Sequence, residues 1–133
     1  MDETGQPQPK LERFEDLIVW QRARRLTKRI YLLTRDQIFA HDRSMAYQIQ
    51  RCCVSIMANI AEGFGRRGSG EFGHFLSISL GSCAEAKSHF YVLFDCELIS
   101  EEQMKDLYNE VDEIARMLTS LLRSSVAAKS KAK

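Results

Sequence analysis

Between residues 45 and 60, Met45, Ile49, Cys52, Cys53, Ile56 and Ile60 share one face of a helix at about 100° per residue. That spacing commits the segment to a helix buried along one side. Beside the apolar face, Arg51, Ser55, Ala58 and Glu62 form a second stripe, with Asn59 on the border between the two. A border amide is at least partly buried and must find hydrogen-bond partners. Arg51, Ser55, Asn59 and Glu62 are therefore read as a polar layer that fixes helix register, with Arg51 and Glu62 as charge partners along the strip or across to a neighbour. Glu62 has no nucleophile or metal set beside it, so a catalytic carboxylate is not expected there.

The same period recurs along the chain. Val19, Ala23, Leu26, Ile30 and Leu33 mark a first helix from about Phe14 to Thr34, with Trp20, Thr27 and Tyr31 on an adjoining strip. The aromatic pair either closes the core or anchors a subunit contact. After a connection at Arg35–His41, Asp42 is the expected N-cap of the second helix, which should stop at the cluster Gly63, Gly65 and Gly68. Ser69 is the expected cap of a third helix with the stripe Phe72, Phe75, Leu76, Ser79, Cys83, Ala86, Phe90, Leu93 and Phe94. Gly81 lies on its opposite face, where a glycine costs about 1 kcal/mol of helix propensity, so the close approach of another backbone is expected. Ser100 caps a fourth helix, helped by Glu101 and Glu102, and Met104, Leu107, Val111, Ile114, Leu118 and Leu121 line it. Four amphipathic helices with short loops predict an all-α, antiparallel up-down-up-down four-helix bundle. The bundle domain is set at 13–123, with a flexible leader at 1–12 and a flexible basic tail at 124–133.

A length of 133 residues suits one domain, and 44% hydrophobic residues exclude a wholly disordered chain. No apolar run approaches the roughly 18 residues of a membrane span, and Met1–Lys10 lacks the hydrophobic region of a signal peptide. A soluble, cytoplasmic protein without a membrane partner is expected. Cys52, Cys53, Cys83 and Cys96 show no zinc-type spacing; three fall on core faces, so buried free thiols are expected, with a structural disulfide as the weaker alternative.

The net charge of +1 conceals an asymmetry. Residues 14–69 hold ten Lys/Arg against five Asp/Glu, a balance of +5, whereas residues 70–122 hold three against ten, a balance of −7. Such polarity suits a polyanion-binding face or head-to-tail subunit contacts.

A wider set of residues carries a family resemblance. Phe14-Glu15-Asp16-Leu17-Ile18-Val19-Trp20-Gln21-Arg22-Ala23 and Ile30-Tyr31-Leu32-Leu33-Thr34 begin it, and Gln48-Ile49-Gln50-Arg51, Ser55-Ile56 and Asn59-Ile60-Ala61-Glu62-Gly63-Phe64-Gly65-Arg66 are its most specific part. Phe75-Leu76-Ser77-Ile78 and Gly81-Ser82 followed by Glu85 complete it. From residue 14 to about 122 the sequence resembles the 23S rRNA intervening-sequence protein family. It departs from the usual pattern at Cys52, Cys53 and Met57, all apolar exchanges. The resemblance implies a left-handed four-helix bundle, often assembled as a homopentameric ring, and adds Glu85 to the polar motif layer. Some members of the family are encoded inside insertions of ribosomal RNA genes, and a similar fold serves diversity-generating retroelements as an accessory protein that binds nucleic acid and a reverse transcriptase. Fold does not carry activity with it.

Candidate nucleic-acid-binding residues are Arg22, Arg25 and Arg29 on one flank of the first helix, with Arg66 and Arg67 in the glycine-rich turn; Arg24 and Lys28 project elsewhere. In a ring, symmetry would multiply these charges into a dense phosphate-binding surface. The alternative is a solvated face, or salt bridges to the acidic third and fourth helices. Nothing suggests sequence-specific readout. His74, Ile78, Ser82, Glu85 and His89 share one flank of the third helix, and Glu85 with His89 has the i, i+4 spacing that can grip a metal. A complete site needs ligands from another helix and the Glu-x-x-His motif of di-iron bundles is missing, so a polar strip is expected, with no metal and no cofactor. Gly65–Gly70 lacks the lysine followed by Ser/Thr of a phosphate loop and does not follow a strand. The expectation is a non-enzymatic homo-oligomer, a pentamer by the resemblance, that binds RNA or DNA through its basic surface as an accessory to a machine such as a reverse transcriptase. The alternative is a structural assembly or protein-adaptor module that binds no nucleic acid.

Overall fold

The computed structural model describes residues 11–131, with side chains described as far as Val126. Most of the expected leader and the last two residues of the expected tail lie outside the described residues. Four long helices make up the fold: α1 (Ile18–Leu33), α2 (Arg43–Gly65), α3 (Phe72–Asp95) and α4 (Glu101–Lys131). No strand occurs among the described residues, and no helix among them is long and apolar enough to cross a membrane.

Local hydrogen bonding explains where these helices begin. The Asp16 carboxylate accepts from the Glu12 and Arg13 backbone N–H groups at 3.2 and 3.1 Å, closing a 3-10 turn over Phe14–Asp16. Leu17 then turns extended, so α1 starts at Ile18 rather than near Phe14. Asp42 caps α2 by accepting from the Met45 N–H at 3.2 Å. Ser100 and Gln103 form a reciprocal capping box at α4, with bonds of 3.1 and 2.8 Å. Ser69 does not cap α3. It sits inside a 3-10 turn over Arg67–Ser69, its Oγ 2.7 Å from the Arg66 carbonyl and 2.8 Å from the Glu71 carboxylate, and Glu71 occupies the N-cap position without a side-chain cap bond. α4 continues as helix to Lys131, past the expected bundle boundary at Arg123.

Glycine chemistry also differs from the sequence reading. α2 passes straight through Gly63 and ends at Gly65, while the left-handed turn before α3 falls at Gly70, with φ 82°. A Cβ on Gly63 would stand 2.7 Å from Phe75 Cβ, so this glycine lets α2 and α3 approach. Gly81 meets nothing within 4 Å and is exposed. Among the described residues no backbone of another element comes within 4 Å of a Cβ at this position.

The core is continuous through all four helices. Leu26 and Ile30 of α1, Ile49, Ile56 and Ile60 of α2, Leu76, Phe90 and Leu93 of α3, and Leu107, Ile114 and Leu118 of α4 are fully buried. Each such side chain contributes about 1.5–3 kcal/mol from burial. Phe39, in a 3-10 turn over Gln37–Phe39 between α1 and α2, is equally buried, although the sequence reading assigned it no core role. Buried hydroxyls are satisfied across helices: Thr27 Oγ1 reaches the Ala23 and Cys53 carbonyls, and Ser79 donates to the Ile56 carbonyl at 2.9 Å. Among the described residues no buried side-chain nitrogen or oxygen lacks a partner.

Candidate nucleic-acid interface

The flank of α1 that carries Arg22, Arg25 and Arg29 faces the acidic side of α4 in part. Arg22 is bound by Glu113, and Arg29 by Asp106 and by Glu110, the last at 2.6 Å. Desolvation works against the Arg29 cation, but the hydrogen bonds it donates to Asp106 and Glu110 outweigh that and raise the guanidinium above its ordinary value. These two arginines are structural ties, as the salt-bridge alternative anticipated. Arg25 remains exposed with no acidic partner among the described residues.

The turn arginines are engaged as well. Arg66 pairs with Glu62 at 2.7 Å and reaches Glu71 at 3.5 Å; its own pKa rises chiefly through the Glu62 hydrogen bond. Glu71 is lowered first by the Ser69 hydroxyl and then, against desolvation, by Arg66. The Arg67 guanidinium lies 3.9 Å from the Phe64 ring centroid and donates to the Phe64 carbonyl at 2.7 Å. Arg67 therefore closes the end of α2 while remaining exposed.

The exposed cations of α1 lie elsewhere. Arg24, Lys28 and Tyr31 follow one another at helical spacings of four and three, all exposed, and Arg35 continues the line just past the helix. Arg24 sits 5.8 Å over the Trp20 ring, and Trp20 in turn packs edge-on against Phe14 at 5.0 Å. Trp20 thus closes the end of the core, while Tyr31 faces outward. The sequence reading set Arg24 and Lys28 aside, because nothing in α1 alone tells which arginines α4 will neutralise.

The polar layer is dispersed rather than continuous. Ser55 Oγ and Ser82 Oγ meet at 2.8 Å, joining α2 to α3, and Asn59 donates to Ser55 O at 2.9 Å and Oγ at 3.1 Å. Glu62 turns to Arg66, and Arg51 lies over the Tyr47 ring at 5.6 Å, so these two do not pair with each other. Glu85 turns to His89, 3.3 Å away, one turn along α3.

Cys52, Cys53 and Cys83 are buried free thiols and Cys96 is exposed. Burial pushes Cys52 up to about 12, with the Glu85 carboxylate adding to the rise, and pushes Cys83 to about 12; Cys53 is raised by the same cause. Protonated thiols of this kind are poor nucleophiles. Cys52 is nevertheless the side chain from a second helix that stands beside Glu85 and His89.

The family model described as 23S rRNA-intervening sequence protein matches residues 15–120. Among solved structures, the chain is similar to a protein of unknown function from the S23 ribosomal protein family of Bacteroides thetaiotaomicron VPI-5482. Identity is 27%, the match covers 79% of this chain and 98% of that one, and the TM-score is 0.70. No curated protein matches the sequence.

Proposed function

The chain belongs to the 23S rRNA-intervening sequence protein family, and from that premise we propose that it is a non-enzymatic, cytoplasmic binding protein for RNA or DNA, working as an accessory to a nucleic-acid machine such as a reverse transcriptase. The observation that carries this reading is the outer face of α1, where Arg24, Arg25 and Lys28 are exposed without acidic partners among the described residues. Counterion release favours phosphate binding at such a cluster, and exposed Tyr31 gives a base a ring to stack on. Arg22, Arg29 and Arg66 contribute to this reading as scaffold. The backbone-directed contacts give no base-specific readout.

Contacts between helices run in opposed order. Gly63 meets Phe72 and Phe75 while Cys52 meets Ser82, and Arg22 meets Glu113 while Arg29 meets Asp106. This supports an antiparallel up-down-up-down bundle. We further propose a homo-oligomer, a pentameric ring by family resemblance, in which the outer face of each α1 is repeated by symmetry.

A gel-shift titration with mixed-sequence RNA and duplex DNA across salt tests the reading. Binding should weaken steeply as salt rises, and changing Arg24, Arg25 and Lys28 to Gln should flatten the log–log slope by about 2–3 while circular dichroism stays helical. Absence of binding by the unchanged protein at low salt removes the proposal.

A second reading, as a structural assembly or protein-adaptor module, is favoured by the outer face of α2 and α3. Tyr47, Val54 and Ile78 are exposed there, beside the open Gly81. Purifying the native protein and identifying what accompanies it separates the two: a protein partner without nucleic acid supports this reading alone.

A further inference from the structure

We propose that Cys52, Glu85 and His89 form a binding site for a thiophilic divalent cation of the zinc class. Glu85 and His89 sit one turn apart on α3, and Cys52 reaches them from α2, so the site spans two helices. The three ligand atoms all lie within 4.8 Å of one another. His89 Nε2 stands 3.3 Å from Glu85 Oε1, which matches the edge of a tetrahedron whose metal–nitrogen and metal–oxygen bonds are about 2.0–2.1 Å. Two ligands at that separation need no rearrangement to share an ion.

The donor set selects the metal. Calcium and magnesium require six or more oxygen ligands, whereas one sulfur, one imidazole nitrogen and one carboxylate oxygen suit zinc or cobalt. A thiolate and a carboxylate also balance the charge of a divalent ion. Cys52 is buried and the His89 side chain is only 15% exposed, while Glu85 is 61% exposed. The site therefore has a fixed inner wall and one mobile outer ligand. It borders a cleft of about 400 Å³ lined in part by Ser44, Tyr47, Gln48 and Arg51, through which an ion enters and from which water supplies a fourth ligand.

The surrounding cations leave this position open. Lys87, between the two α3 ligands in sequence, is held by Asp112 at 2.7 Å, and the Arg51 guanidinium is stacked on Tyr47. Cys52 Sγ lies 3.3 Å from the Ser82 carbonyl as a hydrogen-bond donor. Coordination breaks the Cys52 S–H bond and releases its proton to water in the cleft, the ion's charge offsetting the burial that holds the thiol protonated; the Ser82 carbonyl, inside α3, keeps its helical amide partner.

Cobalt(II) titration of the chelator-treated full chain tests the site. One cobalt per chain should bind, giving a near-ultraviolet sulfur-to-cobalt charge-transfer band and the visible bands of four-coordinate cobalt, both bleached by zinc. Cys52→Ser should abolish the charge-transfer band. His89→Gln should weaken cobalt binding by more than about 10-fold, since even outer-shell losses reach that size; Cys96→Ser should change neither signal. Glu85 is exposed and His89 only partly buried, so Glu85→Gln and His89→Gln decide the matter if Cys52→Ser fails to fold by circular dichroism. Absence of the charge-transfer band in the unchanged protein overturns the proposal. So does its persistence in folded Cys52→Ser, its loss in Cys96→Ser, or unchanged affinity in His89→Gln or Glu85→Gln.

Discussion

At the scale of single residues, two glycines inside helices have opposite meanings. Gly63 lies where α2 and α3 come closest, and a Cβ there would stand 2.7 Å from Phe75 Cβ and 3.3 Å from the Phe72 carbonyl. Neither is the free end of a flexible side chain, so the helices must move apart. Gly63→Ala should lower stability by about 1–2 kcal/mol, the overpacking cost exceeding the gain in helix propensity. A Cβ on Gly81 would meet nothing within 4 Å beyond its own helix among the described residues, and Gly81→Ala should raise the stability of the single chain by up to about 1 kcal/mol. Urea titration of both variants checks the pair; equal effects would contradict this geometry. The sequence reading drew the reverse lesson, giving Gly63 a stop and Gly81 a close neighbour. A glycine's neighbours lie on another helix, and one helix's periodicity does not contain them.

Between elements, the joint from α3 to α4 illustrates what turn chemistry hides. α3 closes with the Leu98 N–H bonded to the Leu93 carbonyl at 2.8 Å and Glu97 in the left-handed region at φ 61°, an arrangement that glycine usually fills. Relief of that conformation should make Glu97→Gly more stable by about 1 kcal/mol, measurable as a raised urea midpoint. Farther along, Lys87 joins α3 to Asp112 of α4, and its hydrogen bond, against some desolvation, holds the Asp112 carboxyl below the ordinary 3.8. A carboxyl with a lowered folded pKa contributes stability above its unfolded value and loses it as pH falls through the folded one. The acid limb of the stability curve should therefore be shallower in Asp112→Asn than in the unchanged protein below about pH 4, as followed by helical circular dichroism. Much of the helical layout was legible: the caps at Asp42 and Ser100 and the buried faces of all four helices follow from spacing alone. What stayed hidden depends on partners. Phe39 sits in a loop without periodicity, and Arg22 and Arg29 were counted as ligand-facing although Asp106, Glu110 and Glu113 recur at spacings of four and three on α4. Those acids and the seven-residue interval between the arginines are complementary only once the two helices are set side by side. Cys52, read as a buried core thiol, is one, but its polar neighbours belong to α3 and the spacing of α2 does not contain them.

Across the whole molecule, the charge asymmetry of the sequence is partly spent inside the chain, where α1 arginines meet α4 carboxylates. On the outer face of α1 the remainder is small for one copy: Arg24, Arg25 and Lys28, continued by Arg35. Three or four cations on one such face give weak phosphate binding, whereas several copies on a proposed ring would hold a strand at many points and gain avidity of about 10²-fold or more. Assembly and nucleic-acid binding are therefore coupled in this proposal, and they use different faces. The exposed apolar residues Tyr47 and Ile78 lie on α2 and α3, whereas the basic stripe lies on α1. Tyr47→Glu combined with Ile78→Glu should reduce the light-scattering mass from an oligomer to the 15.3 kDa chain without loss of helix, because neither side chain belongs to the core. The same variant should bind a long RNA about 10²-fold more weakly at equal chain concentration while affinity for a short oligonucleotide that spans one copy stays unchanged. A monomeric mass for the unchanged protein would remove the ring, and equal loss for long and short RNA would show that the α2–α3 face contacts nucleic acid itself.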